Sequence, residues 1–436
     1  MKRVIILLKI LLIIFIDMLS YMFRILITPK IVLVEKKIYN IDQSLLSVGT
    51  LGHVSHGKSY FIKQLTNENT NKFTSEAKRG ISIKLGYTQC SVARFKKNYI
   101  KFYYDHCLNY QKNIRKISKF SFIDCPGHRL LLTTMLSGTS LMDSILFFIS
   151  VNDFFPQEQT IEHLLVLNVH SVSELIVILS KIDLQPPLKI IYIYLTVNLV
   201  LKKKRIKNKI FINTYIFDIN LNFILKEIMK INSCIFRGIN YHPLFIIVRV
   251  FNTKDKGKVI GGTLTQGYLE KGLIIEIKPG ISENNILKYK KILTKIIDIK
   301  DNDVTLNYIV PGGLVGLMTE MDKNSNYNNS FIGRFVGIPG QMPNSYTKIL
   351  IKYYVFRNFE KPKKVGSENQ EHNFNAVIVT INSANVTGTI KKMDKKHILI
   401  ALKEQTCILK NQKIVISNRI KDSWSLMAWG NFIRGE

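Results

Sequence analysis

Gly52-His53-Val54-Ser55-His56-Gly57-Lys58-Ser59 is the stretch that decides how this 436-residue chain is read. It fits G-x-x-x-x-G-K-[S/T], the loop that wraps nucleotide phosphates. Gly52 and Gly57 allow turns that a Cβ would obstruct, so successive backbone N–H groups can aim at phosphate oxygens. Lys58 adds a mobile point charge for β- and γ-phosphates, and Ser59 offers a hydroxyl to Mg²⁺. The surroundings agree. Residues 44–50 (SLLSVGT) predict a strand into the loop, and residues 58–65 (KSYFIKQL) predict a helix whose N-terminus faces the anion.

Two further clusters follow buried strands in the order such a loop requires. Asp124-Cys125-Pro126-Gly127-His128 closes the run FSFID. Asp124 can hold Mg²⁺ through water, and the Gly127 N–H can reach a γ-phosphate and so report its presence. Ser180-Lys181-Ile182-Asp183 follows ELIVIL. Asp183 can accept from the N1 and N2 protons of guanine, a pattern adenine does not offer, and the Lys181 stem can lie over the base. Each cluster alone is an ordinary polar turn. Their order after the phosphate loop points to GTP, with GDP as the product.

The chain carries 62 Lys and Arg against 31 Asp and Glu, a net charge of +31. That balance favours a polyanionic partner, because neutralising phosphates releases counterions. Abundant Ile, Lys, Asn, Tyr and Phe also fit coding bias in an A+T-rich genome, which would make part of the Lys content drift. Five scattered cysteines form no C-x-x-C pair, which fits a reducing compartment and predicts no zinc site. Within an extension of residues 1–40, residues 4–16 are nearly all apolar and apolar residues continue to Ile27, but Lys9, Asp17 and Arg24 interrupt them, so no clean run of about 20 apolar residues forms. Two readings stay open for this extension: a signal or membrane anchor, and a non-functional upstream segment with the start at Met18 or Met22. The second is preferred, and no membrane partner is expected.

From residue 41 to 238, apolar runs of strand length (120–124, 144–151, 174–179) alternate with helical segments (129–136, 161–169). This is the βα pattern of a doubly wound, mostly parallel sheet. After His242-Pro243 the pattern turns all-β. Short strands at 244–251, 263–268, 273–278 and 290–299 are separated by Gly, Asn and Asp turns, which predicts a barrel over 239–340. A second β-rich block covers 341–436, and residues 361–375 read as a polar surface loop. The expected fold is an α/β P-loop GTPase domain followed by two all-β barrels.

The phosphate loop and the Asp-Cys-Pro-Gly-His motif resemble those of the elongation factor Tu superfamily. Within it, Arg79-Gly80-Ile81-Ser82-Ile83-Lys84-Leu85-Gly86-Tyr87 is similar to the first switch of the gamma-subunit family of eukaryotic and archaeal translation initiation factor 2. Ser55 stands where elongation factor Tu carries an acidic residue. Further matches are Pro156-Gln157-Glu158-Gln159-Thr160 with Glu162-His163-Leu164, Gly261-Gly262, Pro311-Gly312-Gly313-Leu314-Val315-Gly316, and the closing segment with Trp424 and Trp429-Gly430. The likeness covers residues 45 to 436.

The resemblance implies a factor that carries methionylated initiator tRNA to the small ribosomal subunit in its GTP form. Such a factor works in the cytoplasm with alpha and beta subunits, a GTPase-activating protein and a nucleotide exchange factor. It implies that Gly52, His53, Val54, Ser55, His56, Gly57, Lys58, Ser59, Tyr60 and Gly127 surround the phosphates, with Ser59, Ser82 and Asp124 around Mg²⁺. By likeness His128 orients the attacking water, Val54 belongs to an apolar gate beside it, and Ser180, Lys181, Asp183, Asn213 and Thr214 hold guanine. No cis arginine finger is evident, so hydrolysis is expected to be slow without an activating partner. The tRNA acceptor end is expected between the GTPase domain and the first barrel.

The chain departs from the family pattern in three places. Ser180 replaces an Asn that reads the base and tethers the phosphate loop at once, and a hydroxyl can do less of either. Asn213-Thr214 replaces a Ser-Ala pair. The segment 94–119 offers only Cys107 beside His106 where relatives carry paired cysteines, too few for a tetrahedral site. This basic, Tyr-containing segment is a solvated hairpin or, as the less favoured reading, an RNA contact. Two rivals therefore remain beside the initiation-factor reading: a degenerate tRNA- and partner-binding scaffold with weak nucleotide control, and an elongation factor-like tRNA carrier.

Overall fold

The computed structural model describes residues 43–68, 70, 82, 84–95, 100–103, 114–169, 174–203, 208–212, 224–231, 238–252, 257–282, 289–302, 304–322, 328–356, 376–420 and 423–436. The apolar N-terminal extension, Asn213-Thr214, the Cys107–His106 pair and the polar loop at 361–375 lie outside these residues. Among the described residues no helix is long and apolar enough to cross a membrane.

The first half is a seven-stranded sheet in the order β3-β2-β4-β1-β5-β6-β7. Its strands are β1 (Leu46–Gly52), β2 (Gly86–Phe95), β3 (Ile100–Tyr103), β4 (Ile114–Asp124), β5 (Ser144–Ser150), β6 (Glu174–Ser180) and β7 (Asn208–Ile212). β4, β1, β5, β6 and β7 run parallel, while β2 and β3 add an antiparallel edge. β1 is buried along its whole length and lies between β4 and β5, where the strand order reverses. Ligand sites of doubly wound sheets open at such a crevice. β4 starts well before the FSFID run, because its first half pairs with the edge strand β2. The ends of the basic segment 94–119 are thus built into an antiparallel edge.

Helices α1 (Lys58–Thr66), α2 (Leu132–Thr139), α3 (Glu158–Val169) and α4 (Pro187–Lys203) cover the sheet. α2 begins later than the sequence pattern suggested, since Arg129–Leu131 form a short 3₁₀ turn. On one face Phe61, Ile62 and Leu65 of α1 pack with Phe120, Phe122 and Phe148. The opposite face continues into the barrels: Leu132 and Met135 share one apolar cluster with Ile246, Val248, Val415 and Leu426.

The first barrel is built from β8 (Leu244–Asn252), β9 (Lys258–Gln266), β11 (Ile274–Ser282), β12 (Tyr289–Asp301), β15 (Val315–Thr319) and β16 (Phe335–Gly337). It closes through the β11–β12 pairing, and the short strands β10 (Leu269–Glu270), β13 (Val304–Leu306) and β14 (Tyr308–Ile309) attach at its rim. The second barrel is built from β17 (Ser345–Val355), β18 (Ala376–Ile381), β19 (Ala384–Met393), β20 (His397–Cys407), β21 (Lys413–Ile420) and β22 (Ser423–Gly435), and it is closed in the order β17-β20-β19-β18-β21-β22. In each barrel the ring of strands closes on itself, while β13 stays an edge strand paired only to β12.

Candidate functional site

β1 delivers the chain to Gly52 (φ 144°), and the loop turns into α1 through Ser55 (φ 61°) and Gly57 (φ 94°). A Cβ on Gly52 would lie 2.5 Å from Phe148 O, so close approach dictates glycine there. Gly57 has open space, and its left-handed backbone alone selects glycine. The Lys58 ammonium is buried over the loop, donating to Gly52 O at 2.9 Å and His53 O at 2.7 Å. Burial pulls its pKa down to about 8, against the opposing field of Asp124. A Cβ on Gly127 would lie 2.6 Å from Gly52 O and 2.7 Å from Lys58 Nζ. The glycine of the second motif therefore rests directly on the first.

Asp124, at the end of β4, is fully buried and organises the hydroxyls around it. Ser59 Oγ donates to its Oδ2 at 2.6 Å, Thr70 Oγ1 to the same oxygen at 2.8 Å, and Thr50 Oγ1 to Oδ1 at 2.8 Å. Ser82 Oγ lies 3.2 Å from Ser59 Oγ. Ser59, Ser82 and Asp124, far apart in sequence, thus converge. A small set of hard oxygens with room for phosphate oxygens and water is what Mg²⁺ prefers, so the donor set fits that ion. Thr50 and Thr70 were missed by sequence reading. Thr50 directly precedes the loop, a usable signal, whereas nothing local marks Thr70.

Ser180, at the end of β6, is buried, and its Oγ donates to His56 O at 2.8 Å. The hydroxyl thus tethers the phosphate loop, one of the two tasks that the resemblance gives to an Asn at this position. What is lost is the second donor, because a hydroxyl has one proton. Lys181 takes a left-handed backbone (φ 58°), and the exposed Asp183 sits in the short 3₁₀ turn Ile182–Leu184.

His56 is buried, with Nδ1 3.0 Å from Phe148 O and Nε2 3.0 Å from Asp153 Oδ2. Burial pushes its pKa down to about 4, while the Phe148 carbonyl and Asp153 oppose the shift. Its ring lies 5.4 Å from that of the half-buried His53. Val54 is half-buried, and Ser55 and Tyr60 are exposed on the loop. His128 is exposed, and its Nδ1 accepts from Leu130 N at 3.2 Å, capping the 3₁₀ turn before α2. That bond leaves the neutral ring's proton on Nε2. Among the described residues the imidazole makes no hydrogen bond to the phosphate loop, so the structure does not join His128 to Val54.

Residues 43–298 match the family model of the elongation factor Tu GTP binding domain, and residues 347–432 match that of the C-terminal domain of initiation factor eIF2 gamma. The chain is 32% identical over 416 residues to translation initiation factor 2 subunit gamma of Methanococcus vannielii, covering 89% of this chain and 98% of the relative. It is 29% identical over 433 residues to eukaryotic translation initiation factor 2 subunit 3 of Drosophila melanogaster, covering 90% of each. Among solved structures it resembles a bacterial selenocysteine-specific elongation factor, with a TM-score of 0.67 and 19% identity over 89% of this chain and 58% of that one. It also resembles the elongation factor SelB of Methanococcus maripaludis in complex with the GTP analogue GppNHp, with a TM-score of 0.66 and 17% identity over 91% of this chain and 80% of that one. At those identities the structures share the fold. Because family matches fall in both the nucleotide-binding half and the final barrel, the chain belongs to the translational GTPases of the initiation factor 2 gamma-subunit family.

Proposed function

We propose that this GTPase carries methionylated initiator tRNA to the small ribosomal subunit in its GTP form, as the core of a cytoplasmic heterotrimer with alpha and beta subunits. A GTPase-activating protein and an exchange factor would set its cycle. The observation that carries this reading is the convergence of Ser59, Ser82 and Asp124 beside Lys58 and Gly127, in a chain that spans 98% of a gamma-subunit relative.

In this reading the loop from Gly52 to Tyr60 and the Gly127 N–H bind the phosphates, and Lys58 leaves the loop carbonyls for the β- and γ-oxygens. Mg²⁺, when bound, neutralises charge on the transferring group, and Ser59, Ser82 and Asp124 would hold it. Ser82 engages only when a γ-phosphate is present, which couples nucleotide state to loop order. His128 turns away from its cap to orient the attacking water, with Val54 excluding other solvent. Asp183 and Lys181 select guanine, with Asn213 and Thr214 contributing backbone contacts. No zinc is required.

The committed Ser180 proton favours one alternative, a tRNA- and partner-binding scaffold with loose nucleotide control. Filter binding with charged tRNAs separates the two. Retention of methionylated initiator tRNA is expected to be stronger with GTP than with GDP, and stronger than for elongator tRNAs. Retention that ignores the nucleotide would favour the scaffold, and equal retention of elongator tRNAs would overturn the initiation reading.

A further inference from the structure

Arg249 lies on β8 of the first barrel, away from the phosphate loop in sequence, and no motif reading gives it a role. The β8–β9 pairing shifts register between Ile247 and Arg249, an irregularity of the kind that re-aims a side chain. The guanidinium reaches across to the GTPase sheet. Its Nη2 donates to Leu85 O, and its Cζ stands 4.7 Å from the centre of the Tyr87 ring. One planar cation thus grips both sides of Gly86, which is in register with Asp124.

The same short segment is held from two other directions. A Cβ on Gly86 would meet Thr70 Cβ at 2.8 Å, and a Cβ on Gly138 of α2 would meet Leu85 Cδ2 at 2.7 Å. Leu85 is therefore wedged against the helix that follows the Asp124–His128 motif, while its carbonyl is held by the barrel. Ser82 stands three residues upstream, with its hydroxyl 3.2 Å from that of Ser59. Three residues join Leu85 to Ser82, a tether of at most about 11 Å at about 3.6 Å per residue, so where the clamp holds Leu85 bounds where the hydroxyl can go.

We propose that Arg249 is a positioning residue for Ser82: by bonding the Leu85 carbonyl and stacking on Tyr87, it fixes the strand entry that brings the Ser82 hydroxyl to the metal-binding oxygens. The first barrel thereby becomes part of the GTP-sensing arrangement. The inference rests on the reading of Ser82 as the γ-phosphate-dependent hydroxyl. Lysine cannot replace the arginine fully, because it has no planar face for the ring and no rigid fork.

The test uses the full chain with GDP and a β,γ-imido GTP analogue in Mg²⁺, titrated against a fluorescent guanine nucleotide. Arg249→Ala is expected to lower analogue affinity about tenfold, the scale of one charge-assisted hydrogen bond, with GDP affinity unchanged. Arg249→Lys, which retains charge and guards against a folding defect, is expected to fall between. Ser82→Ala should lower the analogue-to-GDP ratio, and adding Arg249→Ala to it should change that ratio less than about twofold. An equal loss for both nucleotides would reduce Arg249 to a structural contact and overturn the proposal, as would additivity with Ser82→Ala. A Ser82→Ala protein with an unchanged ratio would overturn the underlying reading of Ser82 as well.

Discussion

At Ser180 one hydroxyl proton has two claimants, the phosphate loop and the base. In the structure its short bond goes to His56 O at 2.8 Å, with Ile149 O farther away at 3.4 Å, and neither leaves a proton for the base. An Asn in this position could reach both, so Ser180→Asn is expected to raise affinity for GTP and GDP together by about tenfold, the equivalent of one net hydrogen bond. Titration with a fluorescent guanine nucleotide measures it. Unchanged affinity would mean that the base is fully held without that contact. Residue-level chemistry was legible wherever partners are close in sequence, as with Gly57, Lys58 and Ser59. The Thr50 and Thr70 hydroxyls on Asp124 were not legible, because they meet it only after β1, β4 and the chain beyond α1 pack together.

Among the elements, α3 carries the clearest pH liability. His163 is 5% exposed, and its ring stands edge-on to Phe147 with centroids 6.4 Å apart. Among the described residues its Nδ1 has no hydrogen-bond partner. Burial, with Lys58, His53 and His56 nearby, pushes its pKa down to about 3. The folded value thus lies below the unfolded one, so as pH falls the unfolded chain takes up the proton first. Stability is complete above about pH 7 and lost progressively from about pH 6.5 downward, by about 2 kcal/mol at pH 5. His56 adds less than its burial suggests, because Asp153 can accept from the charged ring. Urea midpoints at pH 7 and pH 5 should show the loss, and His163→Leu should reduce it. An unchanged pH dependence in the variant would remove His163 as its source. The position of α3 followed from its apolar spacing, but the seclusion of His163 did not, since helical spacing does not say what covers a face.

At the scale of the whole molecule, the GTPase sheet and the first barrel are joined by a buried polar seam. Asp301 Oδ2 accepts from Ser44 N at 2.6 Å, and its Oδ1 accepts from Gln89 Nε2. Gln43 donates to Val310 O at 2.8 Å and Gly312 O at 3.0 Å, while Leu314 N donates to Ser121 Oγ at 3.0 Å. The second barrel reaches the helix after the Asp124–His128 motif through Asn385 Nδ2, which donates to Thr133 O at 3.0 Å. Removing the shared acceptor leaves the buried Ser44 N–H unpaired, while Gln89 Nε2 keeps only Leu314 O at 3.1 Å. Asp301→Ala is therefore expected to cost about 2–4 kcal/mol and to separate the unfolding of the barrel from that of the nucleotide-binding half. Calorimetry with and without GDP would resolve this, since GDP should raise only the GTPase transition. A single transition that shifts as a whole would show that the apolar continuity between them suffices.

The sequence by itself determined the phosphate loop, the strands β1, β4, β5 and β6 with the polar clusters that close two of them, and the change from α/β to all-β structure. Each of these depends on backbone freedom or side-chain chemistry within a few residues. Tertiary structure alone decided that Gly127 rests on Lys58, that Thr50 and Thr70 bond Asp124, and that Arg249 grips the segment leading to Ser82. Those contacts join residues tens to more than a hundred positions apart. Periodicity does not encode such pairs. They arise when strand order, barrel closure and the shared apolar face bring the segments together.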